Sequence, residues 1–245
     1  MSIQNEVNLS EPARDLLENV VGNFRTILAD PPWQFQNRTG KMAPEHKRLL
    51  RYPTMKLNEI KELPVNALAA ETAHLYLWCP NAMLESGLQV MRAWGFTYKS
   101  NIVWHKIRKD GGSDGRGVGF YFRNVTELIL FGVKGRMRTM PPGRSRVNYL
   151  SSRKREHSRK PDEIFDIIES CSPGPYLELF ARFPRLGWSH WGNEDVEENH
   201  TNGVALRKGH VEPHLRLVEA PRNYRGADLI VPESNFEAIA LKRAS

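Results

Sequence analysis

Cysteine is scarce in this chain, and its scarcity excludes two kinds of small protein. Among 245 residues there are two cysteines, Cys79 and Cys171, which lie far apart in separate apolar segments. Two such residues build neither a disulfide framework nor a cysteine-rich zinc site. We therefore expect a protein of a reducing compartment, the cytoplasm, that binds no metal.

Long apolar runs are also missing. No stretch approaches the roughly 20 apolar residues that a membrane-spanning helix needs. The first residues, MSIQNEVNLSEPARDLL, lack the basic start and apolar middle of a signal peptide. Hydrophobic residues still make up 40% of the chain, which is enough for a core. These features predict a folded protein with no membrane partner.

Acidic residues are outnumbered, and the positive excess is local. The chain has 35 Lys and Arg against 28 Asp and Glu, a net charge of +7. From Lys134 to Lys160, KGRMRTMPPGRSRVNYLSSRKREHSRK, ten residues are Lys or Arg and one, Glu156, is acidic. A charge run is usually a solvated surface. Ten cations mixed with Pro, Gly and Ser instead favour a mobile loop that binds nucleic-acid phosphates.

Short apolar runs alternate with helical patterns between residues 22 and 195. Strands are predicted at 24–29, 73–79, 98–106, 126–134 and 176–182, and helices at 57–65, 81–95 and 160–171. The glycine-rich segment 108–124 is predicted to be a mobile loop. This alternation predicts an α/β fold with a parallel sheet covered on both faces. Residues 1–21 form an N-terminal extension, and 196–245 form a C-terminal tail with one short helix at 234–244.

The stretch DPPW at residues 30–33 ends the first predicted strand. Its prolines donate no ladder hydrogen bond, so they stop the strand and stiffen the turn. One interpretation is a strand-ending turn with Trp33 in the core. The other is a rigid clamp for a flat polar ligand, with Asp30 as acceptor and Trp33 as stacking surface. Ligands of parallel sheets bind beyond the carboxyl ends of the strands, where DPPW and the residues after YLELFA both lie, which favours the clamp.

The phosphate-binding loops of nucleotide enzymes are absent after the first strand. Neither GxGxxG nor GxxxxGK[ST] occurs there, and GRGVG at 115–119 opens no predicted helix. A nucleotide-like cofactor without a polyphosphate does not need such a loop. S-adenosylmethionine is a cofactor of this kind.

A set of short segments identifies a family. ADPPW, YPTM with LNEIKELPV, LYLWC, NVTELILFGVKG, HSRKPDEIF, LELFAR and GWSHWGNE occur in this order. Together they resemble the family of the seventy-kilodalton catalytic subunit of the mRNA adenosine N(6)-methyltransferase (the MT-A family), in its small bacterial and phage form. The resemblance covers residues 22–195 and makes them a methyltransferase domain. It implies a class I S-adenosylmethionine-dependent methyltransferase fold, Rossmann-like, in the permuted, beta-type order that places the target-base motif before the cofactor strand.

The resemblance also implies the roles of individual residues. Asp30 and the Pro31 carbonyl would hold the adenine amino group, and Trp33 would stack on the base. The catalytic set is Asp30, Pro31, Pro32 and Trp33. The cofactor-binding set is Leu28, Ala29, Asp30, Lys160, Glu178, Arg182, Asn193 and Glu194. Two roles stay open for Glu178: it orients Arg182, or it binds the ribose of the cofactor. Larger members of the family carry an acidic residue upstream of DPPW that helps to hold the cofactor adenine. In the corresponding stretch of this chain, EPARDLLENVVGNF, no residue aligns with it securely.

The substrate side is predicted from two signals. Asn124, with Glu127 beside it, resembles the family's junction between a loop and a strand. The basic segment contributes the phosphate-binding candidates Arg144, Arg146, Arg153 and Arg155. The remaining tryptophans, Trp78, Trp94, Trp104, Trp188 and Trp191, are expected to pack in the core.

The chemistry expected of Asp30 follows from the target group. An adenine amine is a weak nucleophile because its lone pair is delocalised into the ring. Hydrogen bonds to Asp30 and the Pro31 carbonyl favour the geometry that frees this lone pair for in-line attack on a methyl sulfonium. No separately ionised base is needed.

The sequence thus predicts a transferase, an S-adenosylmethionine-dependent adenine-N(6) methyltransferase that acts on nucleic acid. DNA is favoured because the compact chain has no RNA-binding module. Two alternatives stay open: an RNA adenosine N(6)-methyltransferase, and a non-catalytic nucleic-acid-binding partner subunit, against which the intact Asp30 argues. A homodimer is also left open.

Overall fold

The computed structural model describes residues 9–34, 54–115, 121–141, 143–153, 159–183 and 185–192, and the backbone of 215–218 and 229–232. A seven-stranded sheet is at its centre. The strands are β1 (Phe24–Ala29), β2 (Ala69–Cys79), β3 (Thr97–Ile107), β4 (Thr126–Lys134), β5 (Tyr149–Arg153), β6 (Tyr176–Leu179) and β7 (Trp188–Trp191). Their order across the sheet is β5–β3–β4–β2–β1–β6–β7. Strands β8 (Leu215–Val218) and β9 (Leu229–Pro232) form a separate antiparallel pair.

Helices cover both faces of the sheet, as the α/β prediction requires. They are α1 (Glu11–Asn19), α2 (Leu57–Glu62), α3 (Val65–Leu68), α4 (Leu84–Ala93) and α5 (Glu163–Cys171). Neighbouring residues of β1 show the two faces, because side chains alternate along a strand. Ile27 packs in a core that includes Leu16 of α1 and Val90 of α4. Leu28 packs in a second core with Ile164 of α5.

The sheet is mixed, so the prediction of a wholly parallel sheet is wrong for β4. Strand β1 pairs in parallel with β2 and β6, but β4 runs antiparallel to both β2 and β3. No helix is described between β3 and β4, and a parallel neighbour would need a crossover connection. The amino end of β4 therefore lies with the carboxyl ends of β1, β2 and β3. We call this side, marked by Asp30, Cys79, Ile107 and Thr126, the carboxyl edge, and the opposite side the amino edge.

Several predicted elements have different bounds in the structure. The predicted helix at 57–65 is divided into α2 and α3. Residues Asn81–Met83 form a 3₁₀ turn, so Asn81 does not cap α4. Helix α1 lies within the predicted N-terminal extension and packs on the core through Ala13 and Leu16. The predicted linker after residue 194 and the helix at 234–244 lie outside the described residues.

The basic segment is more ordered than a loop. Residues 149–153 form β5, which pairs in parallel with β3 at the end of the sheet. The indole of Trp104 on β3 donates to the Ser152 hydroxyl of β5 at 2.9 Å. The prediction of a mobile loop is therefore wrong for these residues, because their pairing partner is distant in sequence. In the described ranges, no helix has the length and apolar character to cross a bilayer.

Candidate active site

The DPPW turn is fixed to the carboxyl edge by backbone hydrogen bonds. The Asp30 N–H donates to the Leu179 carbonyl of β6 at 3.4 Å, and the Met55 N–H donates to the Pro32 carbonyl at 3.0 Å. The Trp33 N–H donates to the Pro31 carbonyl at 2.8 Å. A carbonyl oxygen has two lone pairs, so the Pro31 oxygen can accept one further hydrogen bond. The turn is rigid, and Asp30 is its only acidic side chain.

The ring of Trp33 lies in the core. Its side chain belongs to the core on the Ile27 face, the residue is 5% exposed, and the indole N–H donates to the Trp78 carbonyl at 3.0 Å. The first interpretation of DPPW, a turn with Trp33 in the core, therefore describes this structure. Stacking of Trp33 on a base stays a prediction. The other five tryptophans are buried too, which confirms their packing role.

A chain of alternating charges runs along the carboxyl edge. The Lys160 Nζ lies 3.0 Å from Asp30 Oδ1 and 2.9 Å from Glu127 Oε1. The Lys106 Nζ lies 2.7 Å from Glu127 Oε2. The four side chains are partly buried, with 13–24% of each exposed. Each carboxylate thus faces at least one ammonium, and Glu127 bridges two.

Three strands and one helix bring these charges together. Asp30 follows β1, Lys106 lies near the end of β3, and Lys160 precedes α5. Glu127 is the second residue of β4, opposite Trp104. Because β4 runs antiparallel to its neighbours, its first residues lie at the carboxyl edge, and Glu127 there meets the other three charges. Sequence analysis assigned no role to Lys106 and placed Glu127 only at a junction between a loop and a strand. An acid at the start of an apolar strand, TELILFGV, was a signal that could have identified Glu127.

The electrostatics of the chain set its protonation. Burial raises the pKa of Asp30 above its ordinary value, and the nearby Lys160 and Arg182 oppose this shift. Burial also disfavours the Glu127 anion, but Lys160 and Lys106 outweigh it and lower the pKa of Glu127 to about 2. The same attraction outweighs burial at Lys160 and raises its pKa. Glu127 is therefore the fixed anion of the chain, and Asp30 is the carboxyl that is harder to ionise.

Two tryptophans form the apolar side of the charge chain. The Lys160 Nζ lies 5.0 Å from the Trp78 ring centroid, and the Lys106 Nζ lies 4.8 Å from that of Trp104. The two indoles meet edge to face, with ring centroids 5.7 Å apart. Ammonium groups at such distances are attracted by the ring quadrupole. Packing and charge together hold the lysines in place.

Glu178 is an unsatisfied acid beside the charge chain. It lies on β6, in register with Leu28 of β1 and His190 of β7. Its Oε2 is buried and has no hydrogen-bond partner within the part of the chain that the structure describes. Burial and the negative charge of Asp30 raise the pKa of Glu178 to about 8. Buried oxygens normally have hydrogen-bond partners, so Glu178 Oε2 is a candidate contact for a bound polar group.

The turn after β6 is conformationally strained. Phe180 has a φ of 63°, in the left-handed region that non-glycine residues rarely adopt, and its ring packs edge to face on Trp191. Backbone outliers of this kind cluster at functional sites. The turn leads to Arg182, whose charge acts on Asp30. A strained turn with an orphaned acid before it and an arginine after it fits a binding site.

The structure brings some of the sequence-predicted residues together and not others. Lys160, Glu178 and Arg182 each lie within electrostatic reach of Asp30. Leu28 lies on the same face, whereas Ala29 packs in the opposite core. Asn193, Glu194 and Arg155 lie outside the described residues. Among those described, no three His, Cys, Asp or Glu side chains are grouped as a metal site.

The substrate-side candidates are divided between the two edges. At the carboxyl edge, Asn124 Oδ1 accepts from Asn81 at 3.4 Å, and Arg153 ends β5. Arg144 is instead at the amino edge, in a 3₁₀ turn (Gly143–Ser145) that packs against the end of α5, and Arg146 directly follows this turn. The Arg144 Nε donates to the Thr139 carbonyl at 2.9 Å. The structure therefore does not bring Arg144 and Arg146 to the site.

Comparison with known proteins connects this site to a family. A family model described as MT-A70 matches residues 24–194. The type II methyltransferase M.MunI of Mycoplasma sp. is 31% identical over 187 residues, 70% of this chain and 77% of its own length. The putative N(6)-adenosine-methyltransferase MT-A70-like of Medicago truncatula is 31% identical over 188 residues, 74% of this chain and 28% of its own length. The human N(6)-adenosine-methyltransferase catalytic subunit METTL3 is 28% identical over 180 residues, 72% of this chain and 29% of its own length.

Proposed function

The chain belongs to the MT-A70 family, and we propose that it transfers a methyl group from S-adenosylmethionine to the N6 amine of adenine in a nucleic acid. The observation that carries this proposal is the carboxylate of Asp30, held in a rigid turn and paired with Lys160 at 3.0 Å. The mixed sheet agrees with the class I methyltransferase fold. Its motif order is permuted, because the DPPW strand β1 precedes the proposed cofactor strand β6.

The residues after β6 fit S-adenosylmethionine. The buried Oε2 of Glu178 needs a donor, and a ribose hydroxyl is a donor of suitable size and polarity. Arg182 and the third N–H of Lys160 are cationic donors for the carboxylate of the methionine part. When bound, S-adenosylmethionine supplies a methyl group on a sulfonium. Asn193 and Glu194 complete the proposed cofactor set by resemblance to the family.

Asp30 is proposed to orient and activate the target amine. Lys160 binds one oxygen of the Asp30 carboxylate, which leaves Oδ2 to accept from the amine. The free lone pair of the Pro31 carbonyl accepts the second amine hydrogen, as the sequence predicts. Positive charge develops on the amine as its lone pair forms the new bond, and a fixed carboxylate stabilises this charge. Lys160 and Arg182 favour the ionised form of Asp30, in opposition to its burial.

A labelling experiment tests the proposal. The protein is incubated with S-adenosylmethionine labelled in its methyl group and with separate DNA and RNA pools, which are then digested to nucleosides. We expect label in N(6)-methyladenine and a loss of at least about 100-fold in rate for Asp30→Asn. S-adenosylmethionine binding, measured by calorimetry, should change little. Asp166→Asn, on the exposed side of α5, is the matched control with unchanged rate.

The two pools separate the alternatives. DNA is the first candidate substrate, as predicted above for a compact chain. In agreement with a compact enzyme, the chain spans 77% of the type II methyltransferase M.MunI and 29% of the human METTL3 subunit. Label in the ribonucleoside would instead identify an RNA adenosine N(6)-methyltransferase. Binding of nucleic acid without any label would identify a non-catalytic partner subunit and contradict the proposal. Homodimer formation and a cytoplasmic location stay predictions.

A further inference from the structure

Large aromatic side chains are exposed beside the site. Tyr121 is 94% exposed, Phe122 is 84% exposed, and Phe183 is 54% exposed. A single exposed aromatic residue needs no explanation, but adjacent exposed rings are typical of an interaction surface. Tyr121 and Phe122 are consecutive in the chain. They therefore present two rings to a partner at one place.

The rings stand at the carboxyl edge on either side of Asp30. Phe122 precedes the start of β4 by four residues, which places it within about 14 Å of Thr126. Residues 124–126 are held there, since the Lys106 N–H donates to the Val125 carbonyl at 2.8 Å and Asn81 donates to the Thr126 carbonyl at 3.2 Å. Phe183 follows β6 by four residues. Asp30 follows β1, which lies between β4 and β6 in the sheet.

The charge around these rings selects a polyanion as their partner. Arg123 follows the rings directly, whereas the nearest acids on either side are neutralised or buried: Glu127 is paired with two lysines, and Asp114 is 1% exposed. Arg153 ends β5 at the same edge, and its Nη2 donates to the Lys109 carbonyl at 3.4 Å. Exposed rings among cations are the combination that binds single-stranded nucleic acid, because the cations contact phosphates and the rings stack on bases. An apolar protein surface would not need the cations.

We propose that Tyr121 and Phe122 stack on the bases next to the target adenine and hold the strand on the β4 side of the site. This inference rests on the proposed function, because it requires a nucleic-acid substrate. An adenine that enters a pocket leaves its neighbours unstacked, and stacking on protein rings replaces the lost contacts. Phe183 is not included, because the Arg159 guanidinium already lies 4.8 Å from its ring centroid.

A binding cycle tests the contact between rings and bases. The two ligands are fluorescein-labelled deoxyribonucleotide strands of about 20 nucleotides, a length that exceeds one binding site. One strand has a central adenine among thymines. The other has the same length and the same central adenine but abasic sites at every other position. Affinity is measured by fluorescence anisotropy for the wild type and for the double variant Tyr121→Ser/Phe122→Ser.

We expect the double variant to bind the intact strand at least about 10-fold more weakly than the wild type does. Both proteins should bind the abasic strand with equal affinity, because it offers no bases to the rings. The exchanged variant Tyr121→Phe/Phe122→Tyr keeps both rings and should bind like the wild type. Tyr98→Ser, near the start of β3 at the amino edge, is the control and should change neither affinity.

Two outcomes of the binding assay would overturn the inference. An undiminished affinity of the double variant for the intact strand would show that the rings do not contact the bases. Equal weakening on both strands would assign the effect to the backbone of the strand or to the fold of the protein. Circular dichroism melting confirms that each variant is folded.

The binding assay also separates this inference from the proposed function. It requires no methyl transfer, so the ring–base contact can be found even if the wild type labels no adenine. In that case the proposed function fails alone. If the wild type labels adenine but the double variant has an unchanged KM for the strand, the inference fails alone.

Discussion

Replacing Glu127 by glutamine removes the central anion of the charge chain while keeping its shape. Glu127 contacts Lys160 at 2.9 Å and Lys106 at 2.7 Å, and the two lysines lower its pKa to about 2. A carboxyl whose pKa falls from 4.5 to about 2 on folding contributes about 3 kcal/mol of stability at neutral pH. Breaking a buried ion pair by removal of one partner costs about 3–5 kcal/mol, which agrees in size.

The pH dependence gives this prediction its sign. Glu127 contributes its full stabilisation above pH 4.5. As the pH falls from 4.5 toward 2, the unfolded state binds a proton at this carboxyl while the folded state stays ionised, so the stabilisation is progressively lost. The stability difference between the wild type and Glu127→Gln should therefore be about 3 kcal/mol at pH 7 and less than half of that near pH 3. Asp30 titrates in both proteins, and because the Glu127 charge raises the pKa of Asp30, the difference reports Glu127 together with this coupling.

Urea unfolding followed by tryptophan fluorescence measures this difference. Both proteins are unfolded at several pH values between about 3 and 7, and the free energy of unfolding is extrapolated to water. Glu85→Gln, an exposed glutamate in the first turn of α4, is the control and should stay within about 0.5 kcal/mol of the wild type. A difference below about 1 kcal/mol at pH 7, or one that does not change with pH, would refute the role given to the charge chain.

Three further predictions follow from the two edges and the cofactor side. Arg153→Ser should lower the slope of log affinity against log salt by about 0.9 on duplex DNA or about 0.7 on single strands, whereas Arg144→Ser at the amino edge should leave it unchanged. An equal effect of both changes in anisotropy titrations would contradict the division of the basic segment. Glu178→Gln should weaken S-adenosylmethionine binding in calorimetry. The wild type should lose stability as the pH rises from 4.5 to about 8, because its folded state resists the ionisation of Glu178. Glu178→Gln should remove this loss. Gly192→Ala should destabilise the fold by about 1–3 kcal/mol, because its new Cβ would meet the backbone after β6. Gly115→Ala meets open space and should change the free energy of unfolding by under about 0.5 kcal/mol; similar values for both would disprove this steric reason.

The sequence by itself determined the family and those elements that have a continuous apolar run. Strands β1 and β4 have the bounds that their apolar runs predict, because a continuous apolar run favours a buried strand wherever it lies. The prolines of DPPW end β1 for reasons of local geometry. Lys160 was assigned to the cofactor-binding set only through the resemblance to the family, and the match over residues 24–194 confirms that resemblance. These conclusions needed information from neighbouring residues or from a known order of motifs.

The tertiary structure alone decided which distant residues meet. The direction of β4 brings Glu127 to Lys160, and no local pattern specifies whether a strand runs parallel or antiparallel. Pairing of β5 with β3 carries Arg153 to the carboxyl edge and leaves Arg144 at the amino edge, although both belong to one basic run. The physical reason is the same in each case: strand pairing depends on backbone hydrogen bonds and burial between segments far apart in the chain, which local periodicity does not encode.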